Sequence, residues 1–172
     1  MIERVERCGR EMIRELEAAD AEVIARLARD ARRSAIANLP DLHTPVEDIA
    51  FYRQQISSAI GFCFEEAGAV VGFVLGQGQL IEHLYVAPGF QRQGIGTLLL
   101  ECIAQAMPGR SLRLWTFQSN DGATSFYRHH GFKVIDQTDG SGNEEGLPDY
   151  LLERIKIPSD EVTQGVVTPW PA

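Results

Sequence analysis

Residues 86–105 read VAPGFQRQGIGTLLLECIAQ. An apolar strand ends near Val86, a loop carries Gln91, Arg92, Gln93, Gly94, Ile95 and Gly96, and a helix begins at once around Thr97. A helix start presents unpaired N–H groups and a partial positive charge, so it suits a phosphate or pyrophosphate. Glycine at 94 and 96 removes Cβ atoms and lets oxygens approach the backbone. Two phosphate loops of other kinds fit poorly. A Walker loop needs Lys-Ser/Thr after its last glycine, and Ile95-Gly96-Thr97 has no lysine. A dinucleotide fingerprint needs a third glycine and an early parallel strand, whereas Leu98 and Leu99 follow here. A helix that uses glycine only for clearance against a sheet also fits the stretch alone, so its neighbours must decide.

Upstream, GFCFEEAGAVVGFVLGQGQLIEHLYVAP has period two, broken by turns at residues 66–68 and 76–78, which predicts three successive antiparallel strands. Downstream, the helix closes at Pro108-Gly109 and SLRLWTF alternates cleanly as a strand. NDGATSFYRHHG reads as a short helix from Asn120 that stops at Gly131. FKVIDQT and DYLLERIKI read as strands around the polar loop DGSGNEEGLP. Nearer the N-terminus, MIRELEAAD suits an edge strand, and Asp20 is placed to cap a helix running to Ala37. Its apolar residues Val23, Ile24, Leu27, Ala28, Ala31 and Ala35 recur on one face. Thr44, Pro45 and Glu47 form a capping box for a second helix. The order is strand, two helices, three antiparallel strands, helix, strand, helix, two strands. It predicts an α/β fold with a mixed, mostly antiparallel sheet and helices on both faces. Residues 1–11 read as an extension, 12–157 as one domain and 158–172 as a loose tail.

The 172 residues are 44% hydrophobic and 23% charged, an ordinary globular composition with room for a sizeable core. No apolar run approaches the roughly 20 residues that span a bilayer, and the charged N-terminal stretch lacks a secretory signal's apolar core. Cys8, Cys63 and Cys102 form no C-x-x-C pair, which fits reduced thiols and a cytoplasmic setting. A net charge of −8 without a Lys/Arg cluster argues against nucleic-acid binding and permits a cationic or neutral partner. No cluster has metal-ligand spacing, so no metal is expected.

With hairpins before it and NDGATSFYRHHGFKV after it, Gln91-x-x-Gly94-x-Gly96 resembles the acetyl-CoA-binding motif of the GNAT superfamily of N-acetyltransferases. Asn120, Ala123, Phe126-Tyr127 and Gly131-Phe132 match that family's next helix and strand, and the likeness extends over roughly residues 12–156. The resemblance implies a sheet splayed at its centre, with the pantetheine arm against Leu84, Tyr85 and Val86. It implies a pyrophosphate cradle at Gln91–Thr97, and direct acetyl transfer from acetyl-CoA to a primary amine of a small molecule, peptide or protein. The alternatives are another acyl group, or a silent acyl-CoA-binding module.

Direct transfer needs a base for the ammonium, a donor for the thioester carbonyl and an acid for the thiolate. The resemblance puts Tyr127 beside the sulfur as the acid, Asn120 on the cofactor arm and the Val86 N–H on the carbonyl. A core aromatic and a plain N-cap also account for Tyr127 and Asn120. Strand alternation puts Glu82 on the face of Val86, where a carboxylate in a cleft takes a raised pKa and serves as base. Glu82 equally suits a substrate anchor on the rim. His83, of opposite phase, reads as a packing or surface histidine. In this family the acceptor is met by the linker between the first helices and the loop before the last strand. Here those hold Asp41, His43, Glu144, Glu145 and Asp149, which suit a cationic amine. The apolar last strand and the VVTPWPA tail are the candidate surface for a homodimer.

Overall fold

The computed structural model describes residues 6–7 and 11–156. The expected tail, and all of the expected extension except Glu6, Arg7 and Glu11, lie outside those residues. Eight strands form one sheet: β1 (Glu6–Arg7), β2 (Glu11–Glu15), β3 (Ile60–Glu66), β4 (Ala69–Gln77), β5 (Leu80–Val86), β6 (Ser111–Phe117), β7 (Lys133–Thr138) and β8 (Asp149–Ile155). The helices are α1 (Ala21–Ala35), α2 (Pro45–Ser58), α3 (Ile95–Ala106) and α4 (Asp121–His129). The sheet order is β1-β2-β3-β4-β5-β6-β8-β7. Every neighbouring pair is antiparallel except β5 and β6. Both edges of β8 are paired, so β7 rather than the last strand leaves an open edge.

Period two in the central strands splits the core into two layers. Phe62, Phe64 and Val74 face α3, where Leu99, Leu100 and Ile103 are fully buried. The alternate residues Cys63, Phe73 and Leu75 face α1 and α2, meeting Ile24, Leu27 and Tyr52. Burying each large side chain is worth roughly 1.5–3 kcal/mol, so covering both faces holds β3 and β4 rigid at the centre. No helix among the described residues is long and apolar enough to cross a membrane.

The capping box stands as read: Thr44 Oγ1 accepts from Glu47 N–H and Glu47 Oε2 accepts from Thr44 N–H at 2.7 Å. The first hairpin turns on Ala67 and Gly68, both with positive φ (51° and 81°), as a two-residue turn with the strands' own twist requires. Three local expectations change. Asp20 makes no side-chain cap for α1. Its carboxylate accepts two bonds from the Arg14 guanidinium (2.7 and 2.9 Å) and one from Glu17 N–H, because a charged fork outcompetes a neutral amide. Helix α1 ends at Ala35 rather than Ala37, since Ile36 turns extended and is buried. The second hairpin turns at Gly78 with Gly76 still inside β4. A Cβ on Gly76 would lie 2.6 Å from Met107 Sδ, so that glycine provides clearance for α3.

The parallel pair β5–β6 positions the site. Its only register pair is Leu80 opposite Arg113, supported by Arg113 N–H donating to Gln79 O at 2.8 Å. Beyond that point the strands part, and the sheet is splayed at its centre.

Candidate functional site

A cavity of about 780 Å³ fills the opening between β5 and β6, walled by both strands, the C-terminal end of α1, the first turn of α3 and the length of α4. The chain enters α3 through a 3-10 turn at Pro88–Phe90, then Arg92 and the N-cap Gly94 with φ of 63° and 87°. Gly94 is required by that left-handed backbone, and its Cβ position is otherwise open. Gly96 acts through space: a Cβ there would sit 3.4 Å from the Phe126 ring and 3.9 Å from Val86 Cγ2. The first helical bond runs from Leu98 N–H to Gly94 O at 3.1 Å. The N–H groups of Ile95, Gly96 and Thr97 therefore have no acceptor within the helix.

Gln91 ties this loop to the strand, its Nε2 donating to Val86 O at 3.0 Å. Gln91, Arg92, Gly94, Gly96 and Thr97 line the cavity. Gln93 and Ile95 do not. Gln93 Nε2 turns back to Gly89 O at 3.4 Å, and the Ile95 side chain is buried in the α3 core. Leu84, Tyr85 and Val86 form the β5 wall. Ala87 N–H donates to Val71 O of β4 at 2.8 Å, so by alternation the Val86 N–H points toward β6, into the opening.

Across the opening, Asn120 caps α4 by accepting from Ala123 N–H at 3.1 Å and stands on the cavity wall. Tyr127 is 8% exposed and on the same wall, wedged edge-on against Phe126 (5.1 Å) and Phe132 (5.4 Å). Burial raises its pKa, so the phenol keeps its proton.

Glu82 occupies a β-bulge. The register passes from Leu75 opposite His83 to Gly76 opposite Ile81, leaving Glu82 as an extra residue. Strict alternation from Val86 therefore stops at 82: Ile81 joins Leu84 and Val86 in the α3-side core. Glu82 is on the cavity wall nonetheless, its Oε2 buried without a hydrogen-bond partner and its pKa raised by burial. His83 packs as expected, against Phe51, Tyr52 and Tyr85 on the α2 side.

The acidic acceptor residues lie elsewhere. Asp41 accepts from Arg29 (2.6 Å) and Arg33 (2.7 Å), Glu145 pairs with Arg32, and His43 Nε2 meets Glu144 Oε2 at 2.9 Å. None of these four lines the cavity. The arginines of α1 consume the charge that the sequence offers to a cationic ligand. Asp149 does reach the wall, but is buried and bonded to Thr138 and Asn143.

The wall residues that escaped sequence reading include three with polar or aromatic side chains of note. Arg32 comes from α1; His130 bridges Thr97 Oγ1 (3.0 Å) and Phe126 O (2.8 Å); Trp115 of β6 is 45% exposed. Trp115 alone left a signal, an aromatic in the outward phase of an alternating strand.

Residues 57–134 match the acetyltransferase (GNAT) domain. The chain is 34% identical over 82 residues to the peptidyl-lysine N-acetyltransferase YiaC of Escherichia coli K12, covering 47% of this chain and 55% of that one. It thus spans about half the length of the curated relative it matches. Among solved structures, Ard1 from Thermoplasma volcanium superposes with a TM-score of 0.66 at 26% identity, over 87% of this chain and 100% of the other. The protein yncA of Salmonella typhimurium, solved with its cofactor acetyl-CoA, superposes with a TM-score of 0.69 at 20% identity, over 87% of this chain and 97% of the other.

Proposed function

We propose that this chain, whose residues 57–134 match the acetyltransferase (GNAT) domain, is an acetyl-CoA-dependent N-acetyltransferase acting on a primary amine, in a small molecule or on a peptide or protein side chain. The observation that carries the reading is the cavity between β5 and β6. It holds free helix N–H groups at one end and an unpartnered carboxylate oxygen in its wall. The names of the relatives support it: YiaC is a peptidyl-lysine N-acetyltransferase, and yncA was solved with acetyl-CoA.

The residues present fit acetyl-CoA. The N–H groups of Ile95, Gly96 and Thr97 suit pyrophosphate oxygens, Gly96 leaves room beside Phe126 for their approach, and Arg92 adds a cation. The Val86 N–H and Asn120 are polar groups turned to the opening, suited to a pantetheine arm. Acetyl-CoA supplies the activated acyl group. Glu82 takes a proton from the acceptor ammonium, exposing the nitrogen lone pair. The Val86 N–H, turned to the opening, would donate to a thioester oxygen placed there. Tyr127 would give its phenol proton to the departing sulfur as the C–S bond breaks and the N–C bond forms, and would regain one from the second proton that the new amide nitrogen sheds. Net, an ammonium and a thioester become an amide, a thiol and one released proton.

Thiol release from acetyl-CoA across a panel of amines, with product mass measured, tests the reading. Amine-dependent thiol release with one acetyl group gained by the amine is the expected result. CoA binding without turnover on any amine would contradict it.

A further inference from the structure

The geometry points to a second, smaller cavity on the α2 side of β5 as the slot through which the acceptor arrives, fitted to an unbranched primary ammonium on an aliphatic stem. This rests on the acetyltransferase reading and names the substrate class of the same site. The slot measures about 260 Å³, one-third of its 780 Å³ neighbour. Phe51 and Gln55 of α2, Leu80 to His83 of β5 and Trp115 of β6 line it. Ile81, Glu82 and Trp115 also line the larger cavity, so the Glu82 bulge stands in the wall the two share.

The slot's chemistry selects a cation. Among the described residues Glu82 is the only charged one on its wall, and no lysine or arginine is there to hold an anion. Two buried polar atoms in that wall, Glu82 Oε2 and His83 Nδ1, have no hydrogen-bond partner. Leaving such groups unpaired is unfavourable, and an ammonium brings three donors. His83 does not oppose it: burial, aided by the Arg32 charge, lowers its pKa to about 4, so the imidazole is neutral at physiological pH. Phe51 and Trp115 are each 45% exposed, two large aromatics left open at one rim. Such rings contact an aliphatic stem and attract a cation through their faces. An amine branched at its carbon and lacking a stem, such as tert-butylamine, gives the two rings no methylene chain to contact. The acidic residues at 41, 144 and 145 do not play this part, being paired at the surface.

The test uses the full chain carrying W170F, which leaves Trp115 as its one tryptophan. With CoA present, Nα-acetyl-lysine N-methylamide is expected to change Trp115 emission saturably, and tert-butylamine is not. In F51A, the lysine derivative's Kd and KM rise about tenfold while the KM for acetyl-CoA is unchanged. A lysine derivative that forms amide product without moving Trp115 emission, or with Kd and KM unaltered in F51A, overturns the slot and leaves the acetyltransferase reading standing. A saturable, F51A-sensitive Trp115 response supports the slot, and overturns that reading if no amine of the panel yields an amide product. Neither response nor product with the lysine derivative overturns the slot, and turnover across the amine panel then decides the acetyltransferase reading.

Discussion

Replacing Tyr127 with phenylalanine lowers kcat by about 10²–10³-fold, the range lost when a positioned proton donor is removed. Phenylalanine keeps the ring contacts with Phe126 and Phe132, and the backbone bonds from His130 and Phe132 N–H to the residue-127 carbonyl do not involve the side chain. The variant therefore folds, and CoA binding changes little, because the cradle at Ile95–Thr97 lies on another element. Burial holds the phenol's pKa above its ordinary value. The loss should then be uniform across neutral pH, with no limb of the profile belonging to Tyr127. Thiol-release kinetics at saturating substrates measure it; an unchanged kcat would reduce Tyr127 to a core aromatic.

Replacing Glu82 with glutamine lowers kcat/KM for the amine by a similar factor, about 10²–10³-fold, and alters the pH profile. Burial disfavours the carboxylate, so Glu82 titrates above the ordinary glutamate value. In the wild type the proton-accepting fraction grows as pH rises through that raised pKa, giving an ascending limb. The glutamine variant lacks the limb. Folding linkage runs the other way: a raised folded pKa means the ionised side chain is disfavoured in the native state above its unfolded pKa. Glutamine removes that penalty, so the variant's Tm at neutral pH should equal or exceed the wild type's. A retained limb would assign the base to another group, and a fallen Tm would mean that the activity loss reports unfolding.

The fold was legible because its elements announce themselves locally. Period two in residues 60–77, the Thr44-Pro45-Glu47 box and the Asn120 and Gly131 boundaries each follow from neighbours in sequence. The insertion of β8 between β6 and β7 was not legible, because strand order is a non-local pairing that no single segment encodes. The loop and helix start at Gln91–Thr97 were readable for the same local reason as the helices, although the side chains of Gln93 and Ile95 turn away from the cavity. The bulge at Glu82 could not be read, since a one-residue register slip changes no residue type. Charge misled in the acceptor loops. Asp41 and Glu145 look available until α1 brings Arg29, Arg32 and Arg33 against them from segments far away in sequence. The slot at Phe51, His83 and Trp115 draws on three such segments and exists only once the sheet has formed.

The central claim is that the opening between β5 and β6 is an acyl-CoA site read by backbone amides. Titrating isotope-labelled protein with CoA while following each backbone amide by NMR tests it most directly. The predicted result is that the largest shifts fall at Val86, at Ile95, Gly96 and Thr97, and around Asn120, with the β2–β3 pair silent. Saturating shifts confined to β2 and β3, or none anywhere at millimolar CoA, would contradict it.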